Sequence, residues 1–292
     1  LCPTPYWGIE PSDYHRILAN RLSENIHVMW TGRLVCSPTV TSQDADSYGS
    51  GIGRKPFLWD NYPVNDYNRN RLFLGPFKGR DPELLRHLSG YVSNPMNEAE
   101  ASKFALLTLV DYLKDPFKYD PERSWEKGVH LLLPKPLRRP FAIFSEHSRA
   151  SFLETTESAK LGRYIDGLKR NPENLKLLNE VTGYLRNLRR FIRKLKNMPN
   201  QKLRKEMSPY LRKGDALIEL GLFSLDLLRA SRKGLTKDLR SKARRIKNML
   251  NEISKDPHQL MGEIKPDWTI QGAEQESYPV QLARLALGKI SS

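Results

Sequence analysis

Apolar positions follow two different periods along this chain, and the change falls near residue 121. Before it, short apolar runs alternate with amphipathic stretches. Ile26–Thr31 is a β-rich run that stops at Gly32, Pro56–Trp59 is a second that enters a Tyr62-Pro63 turn, and Gly90–Ser93 is a third. Between them the pattern turns helical from about Ser42. Pro82–Leu88 reads as one helix capped by Asp81, and Asn97–Leu113 reads as another. Asn97 caps that last helix, Glu98 and Glu100 sit in its first turn, and Lys114 and Pro116 mark its end. Strands alternating with helices predict a parallel α/β arrangement.

From Pro121 onward helical spacing takes over, with breaks expected at Pro136 and Pro140, Asn171-Pro172, Met198-Pro199, Lys213-Gly214 and Lys233-Gly234. Leu175, Leu178, Val181, Leu185, Leu188, Ile192 and Leu195 form a sustained stripe three or four residues apart. Ala216, Leu220, Phe223, Leu227 and Leu228 make a second stripe, and Leu239, Ile246, Leu250 and Ile253 a third. Such stripes predict an antiparallel helical bundle. The expected division is α/β over 1–120, a bundle over 121–262 and a tail over 263–292. That tail holds an exposed-looking Pro266-Asp267-Trp268 and a final helical patch at Val280–Leu287.

Charge sharpens this division. The formal net charge is +15. Residues 1–125 carry 14 basic and 15 acidic side chains, whereas 126–292 carry 34 and 18, so the whole excess lies in the helical part. Arg189-Arg190, Arg193-Lys194 and Arg244-Arg245 are its densest clusters. Few aromatics lie among them and no nucleic-acid-binding signature appears, so a solvated helix face is favoured over DNA or RNA binding. Only Cys2 and Cys36 are present, and the six His are scattered, which leaves no disulfide framework and no metal-ligand set. Two lone Cys fit a reducing compartment such as the cytoplasm. No apolar run reaches the roughly 18 residues of a membrane helix. The opening Leu-Cys-Pro-Thr-Pro-Tyr-Trp-Gly has no signal-peptide character and reads as the interior of a larger protein.

The chemistry-bearing stretch is Trp59-Asp60-Asn61-Tyr62-Pro63-Val64-Asn65-Asp66-Tyr67. It sets an aromatic, a carboxamide and a carboxylate just past a strand end, the mixture that grips a sugar: a flat apolar face for the ring, and amide and carboxylate groups for paired hydroxyls. Ordinary turn chemistry would also use Asn, Asp and Pro here, and the stretch alone leaves both readings open. Its order, with Leu74-Gly75-Pro76 through Lys78-Gly79-Arg80, Ser93-Asn94-Pro95-Met96, Cys2-Pro3-Thr4-Pro5-Tyr6 and Trp30-Thr31-Gly32, resembles glycoside hydrolase family 84, the O-GlcNAcase type of β-N-acetylglucosaminidase.

That resemblance covers roughly residues 1–120. It implies the C-terminal half of a (β/α)8 TIM barrel followed by the antiparallel helical bundle, with no cofactor and no metal. It also implies that Tyr6, Thr31 and Trp59 line the pocket for the N-acetyl methyl group. Asn61 would sit near the acetamide and glycosidic side, Asp66 would accept from O4 and O6, and Asn94 would bind hydroxyls on the same edge. Lys55 stands where some bacterial members have Asn, so it receives no role. In the family, the substrate's own acetamide attacks the anomeric carbon, helped by an adjacent Asp-Asp pair. No Asp-Asp dipeptide occurs in this sequence, so the pair is expected upstream of residue 1 and the isolated chain is expected to be inactive. The implied partners are an N-acetylglucosamine-bearing substrate such as an O-GlcNAc-modified protein, the N-terminal half of the same barrel, and a second copy through the bundle, with no membrane. The rival reading is a non-catalytic basic helical interaction module on a degenerate barrel.

Overall fold

The computed structural model describes residues 1–232, 236–262 and 276–291. The expected break at Lys233-Gly234 and the Pro266-Asp267-Trp268 segment lie outside the described residues. Two compact units emerge, one of Leu1–Leu132 with Ser151–Thr155, the other of Leu133–Ala150 and the described residues from Thr156 onward.

In the first unit, β1 (Met29–Trp30), β2 (Phe57–Asp60) and β3 (Gly90–Ser93) form a parallel sheet in that order. Met29 pairs with Phe57, Phe57 with Gly90, and Asp60 with Ser93. The third strand matches its expected bounds. The first shrinks to two residues because Ile26 and His27 are spent on the entering turn, where Ile26 N–H bonds the Ser23 carbonyl. Helix α1 (Asp13–Arg21) escapes the sequence pattern, since its Ile17 is left exposed and offers no apolar stripe. It is anchored instead by His15, whose Nδ1 accepts from Ser12 N–H (3.1 Å). That leaves Nε2 to carry the proton and donate to the Pro5 carbonyl (2.9 Å).

Helix α2 (Ser42–Ile52) begins at Thr41, whose side chain accepts from Asp44 N–H. It packs Ala45, Tyr48 and Ile52 against Trp30 and Leu58 of the sheet and Val28 just before it, with Trp30 and Tyr48 stacked 5.4 Å apart. The expected Pro82–Leu88 helix contracts to one 3-10 turn, Leu84–His87. Asp81 is shared between two helix starts: it accepts from Glu83 N–H (2.9 Å) and from the Ser42 hydroxyl (2.7 Å). Helix α3 (Ala99–Lys114) starts later than expected, with Glu98 and not Asn97 at its N-cap, while Asn97 gives its N–H to Asn65 Oδ1. Helix α4 (Pro121–Leu132) packs on α3 through Gly128 and Leu107, and clusters with this first unit despite its helical surroundings in sequence.

The second unit is helical: α5 (Lys135–Ser145), α6 (Ala159–Arg170), α7 (Leu175–Leu195), α8 (Gln201–Arg232), α9 (Thr236–Ser254) and α10 (Tyr278–Ser291). The α7 stripe is buried from Leu178 to Leu195, while Leu175, at the first turn, is exposed. The break expected at Pro136 falls just before it, between α4 and α5, whereas those at Pro140 and Lys213-Gly214 are absent. Pro136 occupies the first turn of α5, where its missing N–H would be unpaired anyway, and Pro140 is carried inside the same helix. Lys213-Gly214 lies within the unbroken α8. Gly214 is there for close approach, since a Cβ would meet Ile192 Cδ1 at 3.0 Å. The buried Lys213 ammonium donates to the Ile253 and Asp256 carbonyls at the end of α9, placing a cation on the negative pole of that helix. Among the described residues no helix is long and apolar enough to cross a membrane, and no cluster of potential metal ligands occurs.

Candidate functional site

Side chains alternate across a strand, and this alternation sorts the candidate residues in the first unit. Trp30 and Leu58 point into the core beneath α2, and Tyr91 packs against the same core. Their neighbours Thr31, Trp59 and Val92 therefore share the opposite face, in line across the three strands. Trp59 is half-buried there, opposite Val92, which is 39% exposed. Thr31, Asn61 and Asn94 each directly follow a strand, at the carboxyl edge of the sheet, where parallel α/β folds gather their ligand-binding groups.

At that edge the structure joins Asn61 to Asn94. Asn94 Nδ2 donates to Asn61 Oδ1 (3.2 Å), and Asn61 Nδ2 donates to the Val35 carbonyl (2.7 Å). Asn94 N–H also bonds the Asp60 carbonyl (2.9 Å), which prolongs the β2–β3 ladder to the pair. Val35 is brought back to Asn61 by the turn after β1. Gly32 sits at φ 97°, and a Cβ there would lie 2.4 Å from Ser37 Oγ. Ser37 in turn accepts from Leu34 N–H at 2.9 Å.

Tyr6 and Thr31 are held together by backbone, with Thr31 N–H donating to the Tyr6 carbonyl (3.0 Å). The buried Thr31 hydroxyl donates to the Leu34 carbonyl (2.9 Å), so its methyl is the part free to make apolar contact. The Tyr6 ring meets Trp7 edge-on at 5.0 Å. Asp66 is exposed, beyond the cis Tyr62-Pro63 bond, and no hydrogen bond joins it to either amide among the described residues. Its carboxylate is felt at Cys36, whose thiol is pushed up to about 12 by burial first and then by Asp66 and Asp60. A thiol so shifted stays protonated at neutral pH.

Several residues support this edge through contacts that the sequence motifs do not announce. Asp60 is inward-facing and forms a two-pronged ion pair with Arg80, Nε to Oδ2 and Nη2 to Oδ1, both 2.7 Å, with both side chains 1% exposed. Tyr91 donates its hydroxyl to the same carboxylate. Burial works against the Arg80 charge, but Asp60 more than offsets it and raises the guanidinium further; burial and Asp60 hold the Tyr91 hydroxyl protonated. Asn65 ties the next loop by donating to the Arg71 carbonyl (3.0 Å) and to Glu98 Oε2 (2.8 Å). Lys55 points elsewhere, donating to the Arg86 carbonyl at 2.7 Å.

Residues 1–146 match the family model described as beta-N-acetylglucosaminidase. Over 120 residues the chain is 40% identical to the Protein O-GlcNAcase of Rattus norvegicus and to that of Mus musculus. The alignment covers 39% of this chain and 13% of each relative, so the match spans only a small part of those proteins. Among solved structures, an O-GlcNAc hydrolase mutant from Thermobaculum terrenum superposes with a TM-score of 0.87 at 26% identity, over 98% of this chain and 60% of that one. CpGH84B superposes with a TM-score of 0.78 at 28% identity, over 89% of this chain and 48% of that one. With half its length inside the family model and these glycoside hydrolases as neighbours, the chain belongs to the β-N-acetylglucosaminidases of glycoside hydrolase family 84.

Proposed function

We propose that this chain supplies the sugar-binding side of the active site of a retaining β-N-acetylglucosaminidase, one that removes terminal β-linked N-acetylglucosamine from its substrates, O-GlcNAc-modified proteins among them. In this reading β1–β3 are the last strands of a (β/α)8 barrel. The observation that carries it is the hydrogen-bonded Asn61–Asn94 pair at the carboxyl ends of adjacent parallel strands, on the face that also holds Trp59 and Thr31.

In this reading the labour is divided among these groups. Trp59, Tyr6 and the Thr31 methyl give the apolar wall against which an N-acetyl methyl packs. The Asn61 amide, already committed to Val35 and Asn94 in defined directions, keeps one N–H for the acetamide and glycosidic side. Asn94 and the exposed carboxylate of Asp66 meet hydroxyls on the non-reducing edge, where a carboxylate accepts from O4 and O6 together. With the sugar held by these groups, its acetamide oxygen is aimed at its own anomeric carbon. Attack there expels the aglycone without a protein nucleophile. Two adjacent carboxylates complete the reaction, one polarising the acetamide and the other acting as general acid and then base. They come from residues outside this chain, which contains no Asp-Asp pair.

The test is steady-state hydrolysis of an aryl β-N-acetylglucosaminide by the protein that joins this chain to its Asp-Asp pair. Asp66→Ala and Asn94→Ala each lower kcat/KM by about a hundredfold, because each leaves sugar hydroxyls unpaired in the bound state. Unaltered kinetics in both variants would remove the assignment.

A further inference from the structure

In the second unit, a groove of about 840 Å³ runs along the start of α8, and its charged lining is entirely basic: Lys196, Arg204, Lys205 and Arg212. Two basic side chains elsewhere in this unit are paired with carboxylates. Arg189 bonds Asp215 and Glu219, and Arg245 reaches Glu219. Within the groove only Lys196 has such a partner, Asp215 at 2.8 Å. Arg212 donates to the neutral Ser208 hydroxyl (2.8 Å). Among the described residues no carboxylate pairs with Arg204, Lys205 or Arg212, all of which are exposed.

Arg204 and Arg212 lie two helical turns apart, which at ~1.5 Å per residue sets their backbones about 12 Å from each other. The groove thus offers cations over a length, not at one point. The groove therefore combines these cations with a Gln201 amide and the Ser208 hydroxyl.

We propose that this groove binds an acidic, extended polypeptide segment. Its Asp and Glu side chains would pair with Arg204, Lys205 and Arg212. A nucleic-acid strand matches less well, because the lining has no aromatic ring for its bases. The volume exceeds what one inorganic phosphate fills. The proposal is independent of the sugar site, which lies wholly in the first unit.

The experiment is fluorescence anisotropy of the full chain with a labelled peptide about ten residues long, alternating Glu and Ser. Controls are the same peptide with Gln for Glu, and a single-stranded oligonucleotide of equal formal charge. The Glu peptide binds, the Gln peptide does not, and the triple variant R204Q/K205Q/R212Q weakens binding by at least about tenfold. The variant R240Q/R244Q, which neutralises equally exposed cations on α9, leaves binding unchanged. Arg204→Gln alone, which also weakens binding, stands in should the triple variant lose its far-UV dichroism. Equal affinity in the groove variants overturns the proposal, as does an equal loss in the α9 variant, which would mark diffuse attraction. Preferential binding of the oligonucleotide, lost in the groove variants, assigns the groove to nucleic acid instead.

Discussion

Asp60 with Arg80 in the first unit, and Arg189 with Asp215 and Lys196 in the second, are both carboxylate–cation clusters built on short hydrogen bonds. They sit in opposite surroundings. The first is sealed between sheet and loop, whereas the second is 22–37% exposed along a helix surface. A sealed pair gains little net energy over an apolar pair of the same shape, yet losing one partner strands a charge without water. An exposed pair is weakened by solvent and salt, and its loss is absorbed. The first unit thus spends buried polar groups on fixing the strand ends that present Asn61 and Asn94. The second relies on apolar stripes and leaves its charges outside.

The sharpest way to break this contrast is Arg80→Met, expected to destabilise the protein by about 3–5 kcal/mol in urea unfolding because Asp60 is left buried and unpaired. Next comes acid. His147 is buried, with Tyr184 at its Nε2 (2.9 Å) and the Ser158 hydroxyl at its Nδ1, and burial lowers its pKa from 6.5 to about 3. Between those values the unfolded chain binds a proton that the folded one refuses, so stability rises with pH through this window and is fully present above 6.5. At about 1.4 kcal/mol per pKa unit, the contribution is several kcal/mol. The unfolding midpoint of the second unit should fall steadily from pH 6.5 toward pH 3, and His147→Gln should flatten that slope. An unchanged slope would show that His147 is not the group titrating.

Leu185→Ala, in the centre of the α7 stripe, is expected to cost about 3 kcal/mol by the same unfolding assay. Arg189→Met should cost no more than about 1 kcal/mol and leave aryl-glycoside hydrolysis unaltered. Should Arg189→Met prove as damaging as Arg80→Met, the distinction between the two units dissolves.

How much of this could be read beforehand follows the same contrast. The α7 stripe was legible because a helix that buries one face repeats its apolar residues at a fixed interval. Gly90–Ser93 was legible because Pro, Gly and Asn bound a short β-rich run. Gly214 misled because a glycine that admits a neighbouring side chain looks the same in sequence as one that ends a helix. Pro140 misled in a similar way. At the candidate site, Trp59, Asn61 and Asp66 stood out as a motif, and the family resemblance added Tyr6, Thr31 and Asn94. Arg80 and Tyr91 were invisible as partners of Asp60, since a contact across 20 or 31 positions leaves no local pattern. Cys36 gave no sign that it lies within electrostatic reach of Asp66.

The Val35 carbonyl can only accept, so Asn61 must turn its NH2 toward it and its oxygen toward Asn94. Asn94 must then answer with its own NH2, leaving its oxygen as the terminal group. Two side chains that are chemically ambiguous become a relay with a single direction, anchored in main chain at one end and finishing as a lone-pair donor at the other. Asn94→Asp would preserve that outward oxygen but set two oxygens against each other inside the relay, so the replacement closest in shape is one this arrangement resists.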